Sequence, residues 1–375
     1  MDQKPFAPAQ PSAWRRLRIR NIIGIIVLLF LGYRVLGPAR PPAIQETNSP
    51  VYLHDGLRKY WPGFSELKHI IFFGDSYTST RFLPANAPPS ESNPFGNPPF
   101  PGNVSHKRPL WSDYLVTTYN ESLLTAINLA WGGATVDDRL IVPFIDVIEG
   151  LNRQVGNNYL DKYAPNAPNK ATSSFAWNNH DTLVVFWFGI NDVQGAWLWE
   201  NRTAVLERDL ATYRENVEQV YQTGARNFLF FNIPPIERAP LTLVLTEDLQ
   251  NRKRAEVLNW NEEVAQLVRD FTKKHRDVTA FWWDAYRSYN RVLDAPCSHP
   301  ETCGLKDLTT ACPAYALKLQ MEVLESWEQS DPSCPYPLKE YFWMDELHHG
   351  YHMHAVTAQG VVQMLKATPK NYWPV

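Results

Sequence analysis

Residues 67–83 read LKHIIFFGDSYTSTRFL. The apolar run 70–73 stops at Gly74-Asp75-Ser76. An unbroken apolar run bounded by turn residues is the pattern of a parallel strand covered on both faces. The glycine, carboxylate and hydroxyl that end it have two readings. Taken alone, Ser76 is a turn or N-cap serine. At the carboxyl end of a parallel strand, it stands where α/β sheets collect their functional groups. The rest of the chain decides between the two.

Similar runs recur downstream of this first strand, 68–73. Residues 124–131, 182–188, 227–232 and 278–283 read as strands. Residues 110–120, most of 137–163, 202–223 ending at Gly224, 249–275 and 355–366 read as helices. Residues 84–109 are dense in Pro, Asn and Gly and read as a long loop, a feature more often functional than idle. The alternation predicts an α/β protein, a three-layer α/β/α sandwich around a central, mainly parallel five-stranded sheet. The catalytic domain is expected over 66–370, with a cysteine-bearing loop at 297–334.

The chain has 375 residues, 44% hydrophobic content and a net charge of -3, enough for one large core and without the basic face of a nucleic-acid binder. The N-terminus differs in character. Arg15, Arg16, Arg18 and Arg20 precede an uncharged stretch, 22–33. Residues 1–37 therefore read as a basic region plus a signal peptide or a short signal-anchor, followed by a linker and lead-in over 38–65. Either reading places the body in the secretory pathway, secreted or membrane-anchored outside the cytosol. Cys297, Cys303, Cys312 and Cys334 fit two disulfides in that compartment, with the pairing open. Asn103, Asn120 and Asn201 head glycosylation sequons.

The first four strand ends each carry an unusual cluster: Gly74-Asp75-Ser76, then WGGAT at 131–135, GIND at 189–192 and NIPP at 232–235. A serine hydroxyl becomes a nucleophile only when a base takes its proton. FWMDELHHGYHMHAV, 342–356, supplies one. Asp345 and His348, three apart, can share one turn, so that the carboxylate fixes the imidazole while its other nitrogen faces Ser76. A metal cluster is the competing reading of His348, His349, His352 and His354, but Gly350 interrupts the helix and Glu346 does not complete HExxH. An oxyanion needs donors. The N–H of Ser76, the N–H of Gly133 and the side-chain amide of Asn191 are candidates. Asp75 and Asp192 read as scaffold. There is neither a GxSxG elbow nor a GxGxxG after a strand.

These clusters resemble the blocks of the SGNH, or GDSL, hydrolases. Ser76 in FGDSYTSTRF matches the block I serine and Gly133 in NLAWGGATVDD the block II glycine. Asn191 in WFGINDV matches the block III asparagine, and Asp345 and His348 in DELH the block V pair. Within that group the chain is most similar to the fungal acetylesterases of carbohydrate esterase family 16, through NPFGNPPFPG, WSDYLVTTYN, NIPPIERAP and WWDAYRSYN. The likeness covers about residues 66–366. It departs at His349, where relatives usually have proline; the change either alters the stiffness of the loop or leaves a second imidazole at the mouth of the site.

The resemblance implies a serine esterase that removes acetyl groups from plant-type oligosaccharides such as xylo-oligosaccharides. No metal or organic cofactor is needed for that chemistry; no nucleic-acid partner is expected from the charge, and a monomer is expected. Trp131, Trp187, Trp197 and Trp199 lie on or after strand ends and are candidates for a substrate wall. A lipase or broad-specificity carboxylesterase is the alternative within enzymes. An inactive glycan-binding or cell-surface protein is the alternative outside them.

Overall fold

The computed structural model describes residues 59–85, 87–98, 108–171 and 175–369. The basic and apolar segment 1–37, most of the lead-in 38–65 and the sequon at Asn103 lie outside the described residues. No helix among the described residues is long and apolar enough to cross a membrane.

Five strands form one sheet: β1 His69–Gly74, β2 Thr125–Asn128, β3 Thr182–Trp187, β4 Asn227–Phe231 and β5 Thr279–Trp283. All pairings are parallel, in the order β2-β1-β3-β4-β5. β3 and β4 are buried along their whole length, which is why their sequences are apolar without alternation. Side chains alternate across the sheet, so neighbours on β1 serve different layers. Phe72 meets Trp111 edge-on at 5.5 Å, and Phe73 meets Tyr159 on the opposite face at 5.6 Å. One layer contains the helix Tyr351–Ala367, packed on the Trp111–Asp113 and Ala285–Asp294 helices. The other contains Arg202–Gln222 packed on Glu247–Lys274. Phe186, Phe228 and Phe230 stack between strands. Each fully buried aromatic of this kind contributes about 1.5–3 kcal/mol of burial free energy. The protein is an α/β/α sandwich, as the alternation predicts.

The strand order positions the site. From β1 the chain goes to β2 on one side, then crosses to β3 on the other. Such a reversal opens a crevice beyond the carboxyl ends of the strands. The segments after β1, β2 and β3 all emerge there.

Three local expectations change. Only the second half of 137–163 is helical, as Leu151–Arg153 continuing into the π-helical turns Gln154–Tyr163. Residues 137–150 form turns because side chains capture the backbone there. Asp137 Oδ1 accepts from Arg139 N at 3.0 Å, Asp138 Oδ2 accepts from Gly150 N at 3.0 Å, and Pro143 cannot continue a helical ladder. Short helices Ile190–Ala196 and Ala285–Asp294 add to the predicted elements, and Pro313–Gln320 forms within the cysteine-bearing loop. The last helix begins at Tyr351, a turn earlier than its apolar pattern suggests.

The cysteine loop is stapled by Cys297–Cys303 and Cys312–Cys334. It buries a small core of its own around Tyr315, Leu319, Trp327 and Tyr341. Of the described sequon asparagines, Asn201 is exposed just before the Arg202–Gln222 helix, and Asn120 donates to Ser122 O at 2.8 Å.

Candidate active site

The strand β1 is held to its last residue by one side chain. Gln154 accepts from Gly74 N at 3.1 Å and donates to Gly74 O at 2.9 Å. The chain then curls once. Asp75 Oδ1 accepts from Tyr77 N at 2.9 Å, and Asp75 O accepts from Thr78 N and Ser79 N at 3.1 and 2.9 Å. The curl does not continue as a helix. It leaves Ser76 partly exposed between the buried Asp75 and Tyr77. Burial, with Asp192 nearby, pushes the Asp75 carboxyl up to about 7 despite the hydrogen bond from Tyr77.

The segment after β2 is fastened to this curl. Trp131 N donates to Gly74 O at 3.1 Å, and Ala134 N closes a turn onto Trp131 O at 3.0 Å. The third position of that turn is Gly133, at φ +84°, a conformation that favours glycine. A methyl group there would also lie 2.6 Å from Phe144 Cε1. The turn's own hydrogen bond uses the N–H of Ala134, not that of Gly133. Gly132 lies against the serine, with a methyl group at that position falling 3.7 Å from Ser76 Cβ.

After β3, Gly189 takes φ +122°, and a methyl group on it would fall 1.9 Å from Trp260 Nε1. Only glycine lets the chain enter the Ile190–Ala196 helix at that point. Its first turn clamps the segment from β2. Asn191 Nδ2 donates to Ala134 O at 2.9 Å, and Asp192 Oδ1 accepts from Val136 N at 2.7 Å. An amide nitrogen carries two hydrogens, so Asn191 retains one for a further acceptor.

The loop before the last helix is a tight hairpin-like turn, with Met344 N donating to His348 O at 2.8 Å and Gly350 N to Phe342 O at 2.7 Å. Inside it, Asp345 Oδ1 accepts from Leu347 N and His348 N at 2.8 and 2.7 Å. His348 Nδ1 lies 2.9 Å from Asp345 Oδ2, and His348 Nε2 lies 2.8 Å from Ser76 Oγ. Burial works to raise the Asp345 carboxyl, but His348 and the two N–H groups outweigh it and hold the group at about 2. Burial works to lower His348, but the Asp345 carboxylate beside it outweighs that, so the imidazole sits above its ordinary value. With Nδ1–H donating to Asp345, the Nε2 lone pair faces the serine hydroxyl. That is the arrangement of a general base on a nucleophile.

Ser76, Gly133, Asn191, Asp345 and His348 thus come from four separated segments to one edge of the sheet. The tryptophans divide. Trp187 is fully buried and stacked on Phe231 at 4.4 Å, and Trp197 is 4% exposed, beneath the buried Lys253 ammonium. Neither can wall a substrate, because strand-end indoles facing inward fill the core. Trp131 is half-buried and Trp199 is 38% exposed. His349 is not at the mouth either. It is 1% exposed, with Nδ1 donating to Gly350 O at 2.9 Å and Nε2 2.7 Å from the Tyr289 hydroxyl. His352 lies against Tyr351 and Trp327, away from the His348–Ser76 pair.

Two supporting residues escaped the sequence reading. Tyr77 donates to Leu347 O at 2.7 Å and lays its ring 5.7 Å from that of His348, bracing the acid–base loop from the serine's own turn. Gln154 is a buried polar residue whose partner is 80 positions away, and nothing local marks it. Tyr77, beside Ser76 in GDSY, was visible as an aromatic at a strand end.

Asn191→Ala is expected to lower kcat for an acetate ester by about 10²–10³-fold, or about 2.7–4 kcal/mol of barrier, the range for one oxyanion donor. Steady-state kinetics beside wild type measure it. A loss of only a few-fold would leave Asn191 as a clamp on Ala134 and nothing more.

The sequence profile described as GDSL-like lipase/acylhydrolase matches residues 70–359. The chain is 30% identical over 311 residues to an acetylesterase of Thermothelomyces thermophilus, across 80% of this chain and 89% of that protein. It is 25% identical to the thermolabile hemolysin of Vibrio parahaemolyticus, across 62% of this chain and 49% of that protein. Among solved structures, an acetylxylan esterase from Geobacillus stearothermophilus aligns with 82% of this chain and 96% of its own, at 15% identity and a TM-score of 0.43.

Proposed function

The chain belongs to the GDSL-like lipase/acylhydrolase family of ester hydrolases, and from that premise we propose that it is a serine acetylesterase acting on O-acetyl groups of plant-type oligosaccharides such as xylo-oligosaccharides. The observation that carries the reading is the 2.8 Å approach of His348 Nε2 to Ser76 Oγ across 272 positions, with Asp345 on the other side of the ring. The 30% identical acetylesterase supports the acetyl preference. The proposed grouping with the fungal acetylesterases of carbohydrate esterase family 16 rests on the motifs WSDYLVTTYN and NIPPIERAP.

In this mechanism His348 Nε2 takes the Ser76 proton as Oγ attacks the ester carbonyl carbon. The negative charge that develops on the carbonyl oxygen is held by the N–H groups of Ser76 and Gly133 and the free amide hydrogen of Asn191. The imidazolium, stabilised by Asp345, then protonates the leaving alcohol as the C–O bond breaks. An acetyl group remains on Ser76. Water, deprotonated by the same imidazole, attacks that acyl-enzyme and releases acetate, and the proton returns to Ser76. Every proton moved is carried by His348.

The test is acetate release from acetylated xylo-oligosaccharides, run beside butyrate and long-chain esters of one alcohol. Robust release from the sugar, with kcat/KM falling as the acyl chain lengthens, is the expected result. Faster turnover of long chains than of acetate would instead make the protein a lipase. Glycan binding with no ester turnover would make it a binding protein.

Two disulfides suit an oxidising compartment, which supports a place in the secretory pathway for the domain 66–370. N-terminal sequencing of the mature protein separates a cleaved signal from a retained anchor.

A further inference from the structure

Residues 137–150, the first half of a predicted helix, form a loop. It is firmly held. Ile141 and Ile148 are buried at its two ends, and Thr135 Oγ1 donates to Ile141 O at 2.8 Å. The Arg153 guanidinium donates to Asp146 O and Ile148 O. Between these anchors the side chains face outward. Phe144 is 80% exposed, and Val142, Ile145 and Val147 are each more than half exposed. Single exposed apolar residues are ordinary, but a run of them on a fastened loop marks a binding surface.

Its position says what binds. Phe144 Cε1 and Ile148 Cδ1 lie where a methyl group on Gly133 would meet them, at 2.6 and 2.9 Å. The same loop touches the far side of the site, because a methyl group on Gly195, one turn along from Asn191, would lie 2.8 Å from Ile141 Cγ2. The platform therefore borders Gly133, a candidate oxyanion donor, whose neighbour Gly132 lies against Ser76.

We propose that Phe144 is the specificity-determining surface for the alcohol part of the ester, receiving the C–H face of a pyranose ring. This rests on the acetylesterase reading. An acetyl group is two carbons long and covers little of such a surface. A long acyl chain gains by being enclosed on most of its area, whereas these side chains stand open to water and alternate with Pro143, Asp146 and Glu149. A sugar ring suits that surface, since it lays one apolar face on an aromatic ring and keeps its hydroxyls hydrated. The role given from sequence to Trp187 and Trp197, which are buried, falls to Phe144.

The test compares wild type, Phe144→Ala and Phe144→Trp on acetylated xylo-oligosaccharides, ethyl acetate and ethyl hexanoate. The expected result is that the ratio of kcat/KM for the oligosaccharide to that for ethyl acetate falls about 10-fold or more in Phe144→Ala, mainly through KM, and is restored in Phe144→Trp. An unchanged ratio overturns the inference. So does an equal fall on all three substrates, which would mean that Phe144 only supports Gly133. A selective fall on ethyl hexanoate overturns it in favour of an acyl-chain wall. If wild type turns over ethyl acetate but releases no acetate from the oligosaccharide, the oligosaccharide reading fails, and this inference fails with it. Normal wild-type release with an unchanged ratio defeats the inference alone.

Discussion

Ser76→Ala is expected to lower kcat for a chromogenic acetate ester by roughly 10⁶-fold, the loss seen when a serine nucleophile is removed from a working triad. The size follows from the role. Without Oγ there is no acyl-enzyme, and the oxyanion donors can assist only direct attack by water, a residual worth about 10³–10⁴-fold over the uncatalysed reaction. The fold should be unaffected. The turn that carries Ser76 is set by Asp75, through its contacts to Tyr77, Thr78 and Ser79, and by Gln154 on Gly74. Among the described residues, the side-chain bond lost is the one to His348, about 1 kcal/mol. Circular dichroism and a denaturant titration check the fold, and stopped assays on concentrated enzyme check the rate. Near wild-type turnover in the variant would remove Ser76 from the chemistry altogether.

Asp345→Asn is expected to cost about 10⁴-fold in kcat with little effect on structure. Asp345 Oδ1 receives the N–H groups of Leu347 and His348, and an asparagine carbonyl can do the same. Its amide nitrogen then takes the place of Oδ2, 2.9 Å from His348 Nδ1. Two donors cannot face each other, so the imidazole must present a lone pair at Nδ1 and an N–H at Nε2. That tautomer cannot accept the Ser76 proton. The pH profile carries a second signature. The base must be neutral, so kcat/KM rises with pH through the pKa of His348. In wild type the carboxylate raises that pKa above the ordinary imidazole value of about 6.5. In Asp345→Asn the larger raising influence, that of Asp345, is gone, while the smaller one of Asp75 and the lowering by burial remain, so the acid limb moves to lower pH. A limb that stays in place, or a loss of only a few-fold in kcat, would mean that Asp345 does not govern the imidazole.

How much of this was legible can be judged residue by residue. The parallel sheet was legible because 182–188 and 227–232 are apolar without alternation, and only strands covered on both faces can be. The reactive edge was legible because glycine and polar residues interrupt the first four apolar runs at the same end, and parallel strands put those ends together. Ser76 and His348 could be paired through the chemistry a serine demands, although nothing between them in sequence suggests proximity.

Other features lay in tertiary contacts. The first half of the helix predicted over 137–163 lost to Asp137 and Asp138, whose side chains bind nearby backbone N–H groups more effectively than a helical ladder could. Trp187 has the composition of a binding residue and the orientation of a core one, and orientation follows from the pleat of β3. His349 carried the chemistry of a second base, but Tyr289 and the Gly350 carbonyl hold it inside. Phe144 lies in the stretch predicted as helix, and only its surroundings show it open to solvent beside Gly133.

The central claim, that Ser76 is the nucleophile and is activated by His348, is tested most directly by covalent trapping. The protein is incubated with a p-nitrophenyl phosphonate, digested, and its peptides weighed by mass spectrometry. The account predicts one adduct per chain, on the peptide containing Ser76, with its formation slowed by orders of magnitude in His348→Ala. Complete inhibition with the label on another residue, or labelling of Ser76 at the wild-type rate without His348, would contradict it.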